Sequence, residues 1–340
     1  MAKTYLWRYM SLAKYIDLIS SRKVCCPKAS LFNDSSEGKW FAHVSLWNEK
    51  ERWKKVNLYT QSLQNILNDA YGDKDKLIKL ANNAFDKLNK EDKLSAFAIV
   101  LETIAKNKSV KLFDYVELTL ENWRKRYDKH NSDVLKWKQQ AIIKSDSTYI
   151  SCWNQADVSS LAMWNLYGGG PESIAIRVEF ESLEKVLSNN RINLEKNGFV
   201  GQIKKVEYVE GLNNPNKQLL FKLLDEINLH DDSRIGEFCI KPVFYSYENE
   251  VRIIIFQKLS PFDPVEDKNP ELDFVFLDIE DGKMKLNDFI SGVYTHPLSS
   301  SNQMIIDVIT SLNKKYGLED IPVINEDNSA LGESLNVPIR

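Results

Sequence analysis

A long helical pattern occupies residues 46–143 and interrupts a chain whose flanking segments have the pattern of β-strands. Within it, apolar side chains recur at i, i+3 and i+4 spacing, and lysine and glutamate fill the other positions. The apolar stripes are Leu63, Ile66, Leu67 and Ala70; Leu77, Leu80, Ala81, Ala84, Phe85 and Leu88; Phe97, Leu101 and Ile104; and Phe113, Val116, Leu120 and Trp123. We therefore predict an inserted helical subdomain at 46–145, which serves as a scaffold or as the surface for a partner protein or a second copy.

The flanking segments, 1–45 and 146–340, predict the two parts of one α+β core. Short aromatic and β-branched runs between turn residues indicate strands, and they lie at 5–9, 24–26, 148–153, 174–180, 204–209, 238–241, 251–256, 272–277 and 290–294. Helical patterns follow Ser11, a candidate N-cap, and occupy 159–167, 216–229 and 302–316. The predicted fold is a central mixed or antiparallel β-sheet with a large helical insertion.

Composition excludes several classes of protein. The net charge is −3, from 45 basic and 48 acidic side chains, so no chain-wide field draws the molecule to nucleic acid or to an anionic membrane. No apolar run approaches the roughly 20 residues of a membrane span, and we expect a cytoplasmic protein without a membrane partner. The four cysteines form no C-x-x-C pair and the four histidines lie far apart, so we expect neither a structural metal nor a disulfide framework.

Two candidate binding segments lie near the N-terminus. Arg8 stands between Trp7 and Tyr9 in the first predicted strand, where a guanidinium can pair with phosphate or stack on its aromatic neighbours. The polar turn that follows residue 32 contains Asn33, Asp34 and Glu37, and it is a candidate pocket wall.

Two further candidates lie in the C-terminal half. Ser151, Trp153, Trp164 and Tyr167 precede a glycine-rich turn, and the aromatic side chains can form either a stacking wall for a planar ring or ordinary core. Glu248, Glu250 and Arg252 alternate along a predicted extended segment, which would place two carboxylates and a guanidinium on one face. Such a group can orient a sugar hydroxyl or act as a general base, and it can equally be a solvated ion pair.

The basic run at 123–129 in the helical block is a weaker candidate. It contains Arg124, Lys125, Arg126 and Lys129 between aromatic residues. A nucleic-acid patch is one interpretation, but basic runs on helices are more often solvated faces.

Four ordered motifs resemble those of a widespread bacterial family of uncharacterised cytosolic proteins, L-Y-[KR]-Y, F-N-D-P-x-E, M-W-x-x-Y and Y-x-x-E-x-E-[WV]-R. The corresponding stretches here are 6–9, 32–37, 163–167 and 245–252, with Ser35 in place of proline and Val251 where tryptophan is common. The layout is also similar to that of the ADP-ribosyltransferase superfamily, whose members bind and split NAD. The resemblance implies an ADP-ribosyltransferase-like core in which Arg8 holds the NAD phosphate, Ser151 braces the nicotinamide ribose, and Glu248 and Glu250 are the catalytic carboxylates. Cys152 and Trp153 depart from the Thr-Ser of the middle motif.

Three functions follow from these residues. The first is an NAD-dependent ADP-ribosyltransferase-like enzyme, a toxin or phage-defence effector, with protein, nucleic acid or water as acceptor. The second is a non-catalytic nucleotide-binding or sensor module, and the third is a metal-dependent hydrolase or nuclease that uses Asp34, Glu37, Glu248 and Glu250. The predicted catalytic residues are Glu250, Glu248 and Arg252, and the predicted NAD-binding residues are Arg8, Tyr9, Asn33, Asp34, Glu37, Ser151, Trp153, Trp164 and Tyr167. The catalytic interpretation requires Arg8 and Glu250 to face one cleft.

Overall fold

The computed structural model describes residues 3–32, 40–90, 92–106, 111–210, 236–257, 272–280, 284–297 and 302–325. These residues form two compact units, one built from 42–139 and the other from the described residues before and after that stretch. A large mixed sheet with helices confirms the predicted α+β class. Throughout the described ranges, none of the helices is long and apolar enough to cross a bilayer.

The helical pattern forms α2 (Trp40–Ala70), α3 (Lys74–Asp86), α4 (Ala96–Lys106) and α5 (Leu112–Asp146). The apolar stripes meet in a core that includes the fully buried Leu63, Leu77 and Leu101. Asp73 caps α3 by accepting from the backbone N–H of Lys76 at 3.0 Å. The periodicity therefore predicted which side chains of this unit are buried.

The sheet unit contains the strands and the remaining helices. Its strands are β1 (Tyr5–Met10), β2 (Lys23–Pro27), β3 (Thr148–Gln155), β4 (Ile174–Glu179), β5 (Phe199–Lys205), β6 (Glu207–Val209), β7 (Ile240–Pro242), β8 (Glu250–Gln257), β9 (Phe274–Asp278), β10 (Ile290–Thr295) and β11 (Val323–Asn325). Its helices are α1 (Leu12–Ser21), α6 (Leu161–Met163), α7 (Phe180–Lys196), α8 (Leu286–Phe289) and α9 (Asn302–Tyr316). A π-helical turn, Trp164–Gly168, follows α6, and a 3-10 turn, Val243–Glu248, precedes β8.

The main sheet has seven strands in the order β11-β10-β4-β1-β3-β8-β5. Only the β10–β11 pair is parallel among these pairings, so the sheet is mixed. Most predicted strands are confirmed, but Val206 separates β5 from β6, and 238–241 begins with a 3-10 turn before β7. The predicted helix at 216–229 lies outside the described residues.

The two faces of this sheet have different surroundings. The core face carries Leu6, Ile176 and Ile253, and it packs against α1, α7, α9 and the small β2–β9 sheet. The site face carries Trp7, Cys152 and Arg252, because neighbouring side chains in a strand point to opposite faces. On this face two small apolar clusters flank the charged residues described next.

Candidate functional site

Four charged side chains meet on the site face, and we call Lys241, Glu248, Glu250 and Arg252 the ionic cluster. Arg252 donates from Nε and Nη2 to the two oxygens of Glu250 at 2.9 and 3.0 Å. Lys241 Nζ lies 2.6 Å from Oε2 of Glu248 and 2.9 Å from Oε2 of Glu250. All four side chains are buried, and Arg252 is fully so. Two carboxylates and two cations thus neutralise one another away from water.

The backbone brings Glu248 and Glu250 together through a turn. Glu248 ends the 3-10 turn, Asn249 adopts a left-handed conformation (φ 38°), and Glu250 begins β8. The bend is fixed to β3, since the backbone N–H of Gln155 donates to the carbonyl of Asn249 at 2.9 Å and Asn249 Nδ2 donates to the carbonyl of Gln155. The expectation of one extended segment through both carboxylates is therefore wrong. Glu250 and Arg252, two residues apart in β8, do lie on the same face of the strand.

Local charges set the protonation state of Glu250. Burial alone would raise the pKa of Glu250, but the guanidinium of Arg252 and the ammonium of Lys241 lower that pKa below its ordinary value. The pKa of the Cys152 thiol is raised well above its ordinary value by burial and by the nearby Glu250 carboxylate. Cys152 is therefore a neutral neighbour of an ionised Glu250.

Tyr167 connects the cluster to the surface. Its side chain is 48% exposed, and its hydroxyl donates to Oε1 of Glu248 at 2.5 Å. Burial, followed by the hydrogen bond to Glu248, raises the pKa of Tyr167, so the hydroxyl remains a donor. The residue lies in the π-helical turn, a feature that occurs frequently at functional sites. Among the described residues of the cluster and the hydrogen-bonded neighbours named above, Tyr167 is the one with a large exposed fraction.

Two further side chains line the cluster. The backbone N–H of Glu250 donates to the Tyr208 hydroxyl at 2.9 Å. Asn154, the cross-strand partner of Glu250, donates from Nδ2 to the carbonyl of Glu248, and among the residues that the structure describes none donates to its buried Oδ1. The cluster is thus bordered by an acceptor that no described residue uses.

Tyr9 and Trp164 also lie on the site face. Trp164 is fully buried and meets the ring of Tyr9 edge-on at 5.1 Å. The hydroxyl of Tyr9 accepts from the backbone N–H of Ser160 at 2.8 Å. These two residues hold the π-helical turn against the sheet, and they support Tyr167 rather than forming an open stacking wall.

Arg8, Ser151 and Trp153 lie on the core face instead. The guanidinium of Arg8 stacks over Trp153 at 5.3 Å and donates to the carbonyl of Cys25 at 3.1 Å. The indole of Trp153 donates to the hydroxyl of Ser151, which is buried. The expectation that Arg8 and Glu250 face one cleft is wrong, because the register pairs Trp7, not Arg8, with Asn154 on the site face. Trp153 therefore packs in the core, and the Ser151 hydroxyl accepts the hydrogen bond from its indole N–H.

The remaining predicted residues divide into two groups. Asn33, Asp34 and Glu37 lie outside the described residues. In the described part of the chain, no group of three or more His, Cys, Asp and Glu side chains is arranged to hold a metal ion. The basic run lies on α5, where Arg124 donates to Gln64 at 2.7 Å and Lys125 pairs with Glu121 at 2.6 Å.

Sequence reasoning missed Lys241, Tyr208 and Asn154. Lys241 stands between Ile240 and Pro242 in a short buried strand, and Tyr208 pairs with it on β6. One sequence signal could have identified Lys241: it is a lysine within an apolar run, a few residues before the two glutamates. Nothing in the sequence marked Asn154, since its position depends on the pairing of β3 with β8.

One family model, described as "Protein of unknown function (DUF2971)", matches residues 163–253. No curated protein and no solved structure matches the chain. The matched segment contains Tyr167, Tyr208 and the whole ionic cluster, whereas Asn154 lies before it, so most of the site lies within one segment that resembles an uncharacterised family.

Proposed function

We propose that the ionic cluster and Tyr167 form the recognition site of a nucleotide-binding module, with NAD as the first ligand to test. The observation that carries this proposal is the hydrogen bond from the half-exposed Tyr167 to the buried carboxylate of Glu248. Removing two ion pairs from water costs several kcal/mol per ion, which can cancel their mutual attraction, so stability alone is a weak reason for such a cluster. Groups that are perturbed by burial and charge are enriched at functional sites.

The chemistry of the cluster fits the ribose and the base of a nucleotide. A ribose hydroxyl can replace the Tyr167 hydroxyl on Glu248, and Oδ1 of Asn154 is a second acceptor on the same face. Lys241 neutralises both carboxylates inside the cluster, and its Nζ lies 5.3 Å from the ring of Tyr245. Tyr247, 46% exposed, is available to stack on a base. Donor, acceptor, cation and ring are thus present within one short segment and its strand partners.

An ADP-ribosyltransferase-like reaction is the second candidate. The Oε atoms of Glu250 are held by Arg252 and Lys241, and Arg8 lies on the core face, so neither residue is positioned as the resemblance implies. Glu248 is the carboxylate next to the exposed Tyr167, which favours it as the group that would stabilise an oxocarbenium-like centre. Both candidate functions, the binding module and the enzyme, therefore depend on Glu248.

Isothermal titration with NAD, ADP-ribose, ATP and nicotinamide tests the binding proposal. We expect NAD and ADP-ribose to bind and nicotinamide alone not to bind. We expect Glu248→Gln to weaken NAD binding at least tenfold, about 1.4 kcal/mol. The matched control is Arg8→Gln, a charge-removing change on the core face that should leave affinity unchanged. Absence of binding by every nucleotide would contradict the proposal.

The release of nicotinamide from NAD separates the two candidate functions. Chromatography of NAD incubated with the wild-type protein should show intact NAD if the module only binds. Release that is lost in Glu248→Gln would instead establish the enzyme. Release that persists in Glu248→Gln would exclude this carboxylate as the reactive group.

A further inference from the structure

We infer that Arg177 is a phosphate-binding residue on the site face, and that it supplies the guanidinium that sequence analysis had assigned to Arg8. Arg177 lies on β4, directly across from Trp7 on β1 and from Gly292 on β10. Its guanidinium carbon is 4.5 Å from the ring centroid of Tyr5, 5.3 Å from that of Tyr294 and 5.8 Å from that of Trp7. Three aromatic rings thus hold the charged group in place.

The guanidinium has unused donors. Its Nε donates to the hydroxyl oxygen of Ser291 at 3.3 Å, and that hydroxyl in turn donates to the carbonyl of Arg177 at 2.9 Å. An arginine has five N–H donors. Across the ranges that the structure describes, the Nη groups of Arg177 have no hydrogen-bond partner. A guanidinium that stacks by its face keeps the edge with these donors free for a planar or tetrahedral oxyanion.

The charge of Arg177 is also not neutralised. Within the described part of the chain, no carboxylate lies within ion-pair distance of this guanidinium. Glu179, two residues along the same strand face, is ion-paired with Lys3 instead. Arg252 provides the contrast, because both of its carboxylate contacts and a carbonyl, that of Phe238, are made inside the protein. Arg177 is therefore a half-buried cation that still has the capacity to bind an anion.

An anion can reach Arg177 from the solvent side. Arg177 is partly exposed, whereas the space over its cross-strand neighbour Gly292 is taken by the ring of Tyr294. A purely structural role, in which the guanidinium only stacks on the aromatic rings, would explain the position of Arg177. Such a role would not require its Nη groups to lack hydrogen-bond partners among the described residues. The choice of phosphate over carboxylate rests on the proposed nucleotide function, whereas the anion site itself does not.

Titration with pyrophosphate and with ADP-ribose, at low ionic strength, tests this inference. We expect Arg177→Gln to weaken pyrophosphate binding about tenfold, which corresponds to about 1.4 kcal/mol. Arg177→Lys keeps the charge but loses the fork geometry, so we expect a loss of about threefold. Arg8→Lys and Arg8→Gln are the matched controls on the core face and should bind pyrophosphate as the wild type does. Thermal unfolding of each variant verifies that it is folded.

The outcomes distinguish this inference from the proposed function. No pyrophosphate binding by the wild type, or binding by folded Arg177→Gln that is as tight as that of the wild type, would overturn the role of Arg177. If ADP-ribose binding then still depends on Glu248, the proposed function survives alone. If pyrophosphate binding depends on Arg177 but ADP-ribose binds no better than pyrophosphate and ignores Glu248→Gln, the anion site stands and the nucleotide proposal fails.

Discussion

Two arginines on opposite faces of the main sheet, Arg8 and Arg252, have different surroundings. On the core face, Arg8 stacks on Trp153 and bonds to one backbone carbonyl. On the site face, Arg252 is fully buried and bonds to both oxygens of Glu250. An arginine that covers an aromatic ring can be replaced by another long side chain, whereas one that neutralises a buried carboxylate cannot. The predictions below test this difference.

Glu250→Gln should have the largest effect. The change leaves Arg252 buried with an amide in place of its carboxylate partner, and breaking a buried pair in this way costs about 3–5 kcal/mol. Urea unfolding of the wild type and the variant measures the loss. The double variant Glu250→Leu with Arg252→Met removes both charges and should recover most of that free energy. A loss below about 1 kcal/mol would mean that the cluster is hydrated and open.

Acid should weaken the same contact. The folded-state pKa of Glu250 is lower than its ordinary value, so its contribution to stability is complete above the ordinary pKa of about 4.3 and declines as the pH falls below it. We expect the unfolding free energy of the wild type to fall more steeply between pH 4.5 and pH 2.5 than that of Glu250→Gln.

Asp92 and Glu280 also have lowered pKa values, and they are present in both proteins. The difference between the two pH profiles therefore reports on Glu250 together with Glu248, the carboxylate that shares Lys241 with it. Parallel profiles would show that Glu250 has an ordinary pKa in the folded state.

Local sequence signals predicted the elements better than they predicted the site. Helix α9 spans the predicted residues, and Ser11 caps α1 by accepting from the backbone N–H of Lys14. These features depend on a few neighbouring residues. The ionic pair of Glu250 and Arg252 was predictable for the same reason, because side chains two apart in a strand share a face.

The rest of the site depends on pairing between distant strands. Residues on both faces of β1 are buried, so its sequence pattern does not say which face Arg8 occupies. The register with β3 and β4 decides it, and that register places Arg177 and Asn154 on the site face in its stead. The left-handed turn at Asn249 likewise had no counterpart in a pattern of alternating residues.

Tyr167→Phe should have an intermediate effect. The variant removes one donor to the carboxylate of Glu248 and keeps the ring, and since Tyr167 is half-exposed, water can replace the hydroxyl in part. We expect a loss of about 1 kcal/mol in the free energy of unfolding. If a ligand hydroxyl replaces the tyrosine hydroxyl on binding, NAD affinity should rise slightly or stay the same, since the competing donor is gone. A large loss of affinity would show that the Tyr167 hydroxyl contacts the ligand itself.

Arg8→Met should have the smallest effect. Methionine keeps an unbranched apolar stem over Trp153, and the change removes one cation–π contact and one bond to the carbonyl of Cys25, together worth about 0.5–1 kcal/mol. Urea unfolding and NAD titration of this variant form a pair of measurements with one expectation, a small loss of stability and unchanged affinity. Loss of NAD binding without loss of stability would return Arg8 to the binding site and would require β1 to present it on the other face. Because Trp7 and Arg8 are neighbours on one strand, that result would also place Trp7 in the core and remove one of the three rings that hold Arg177.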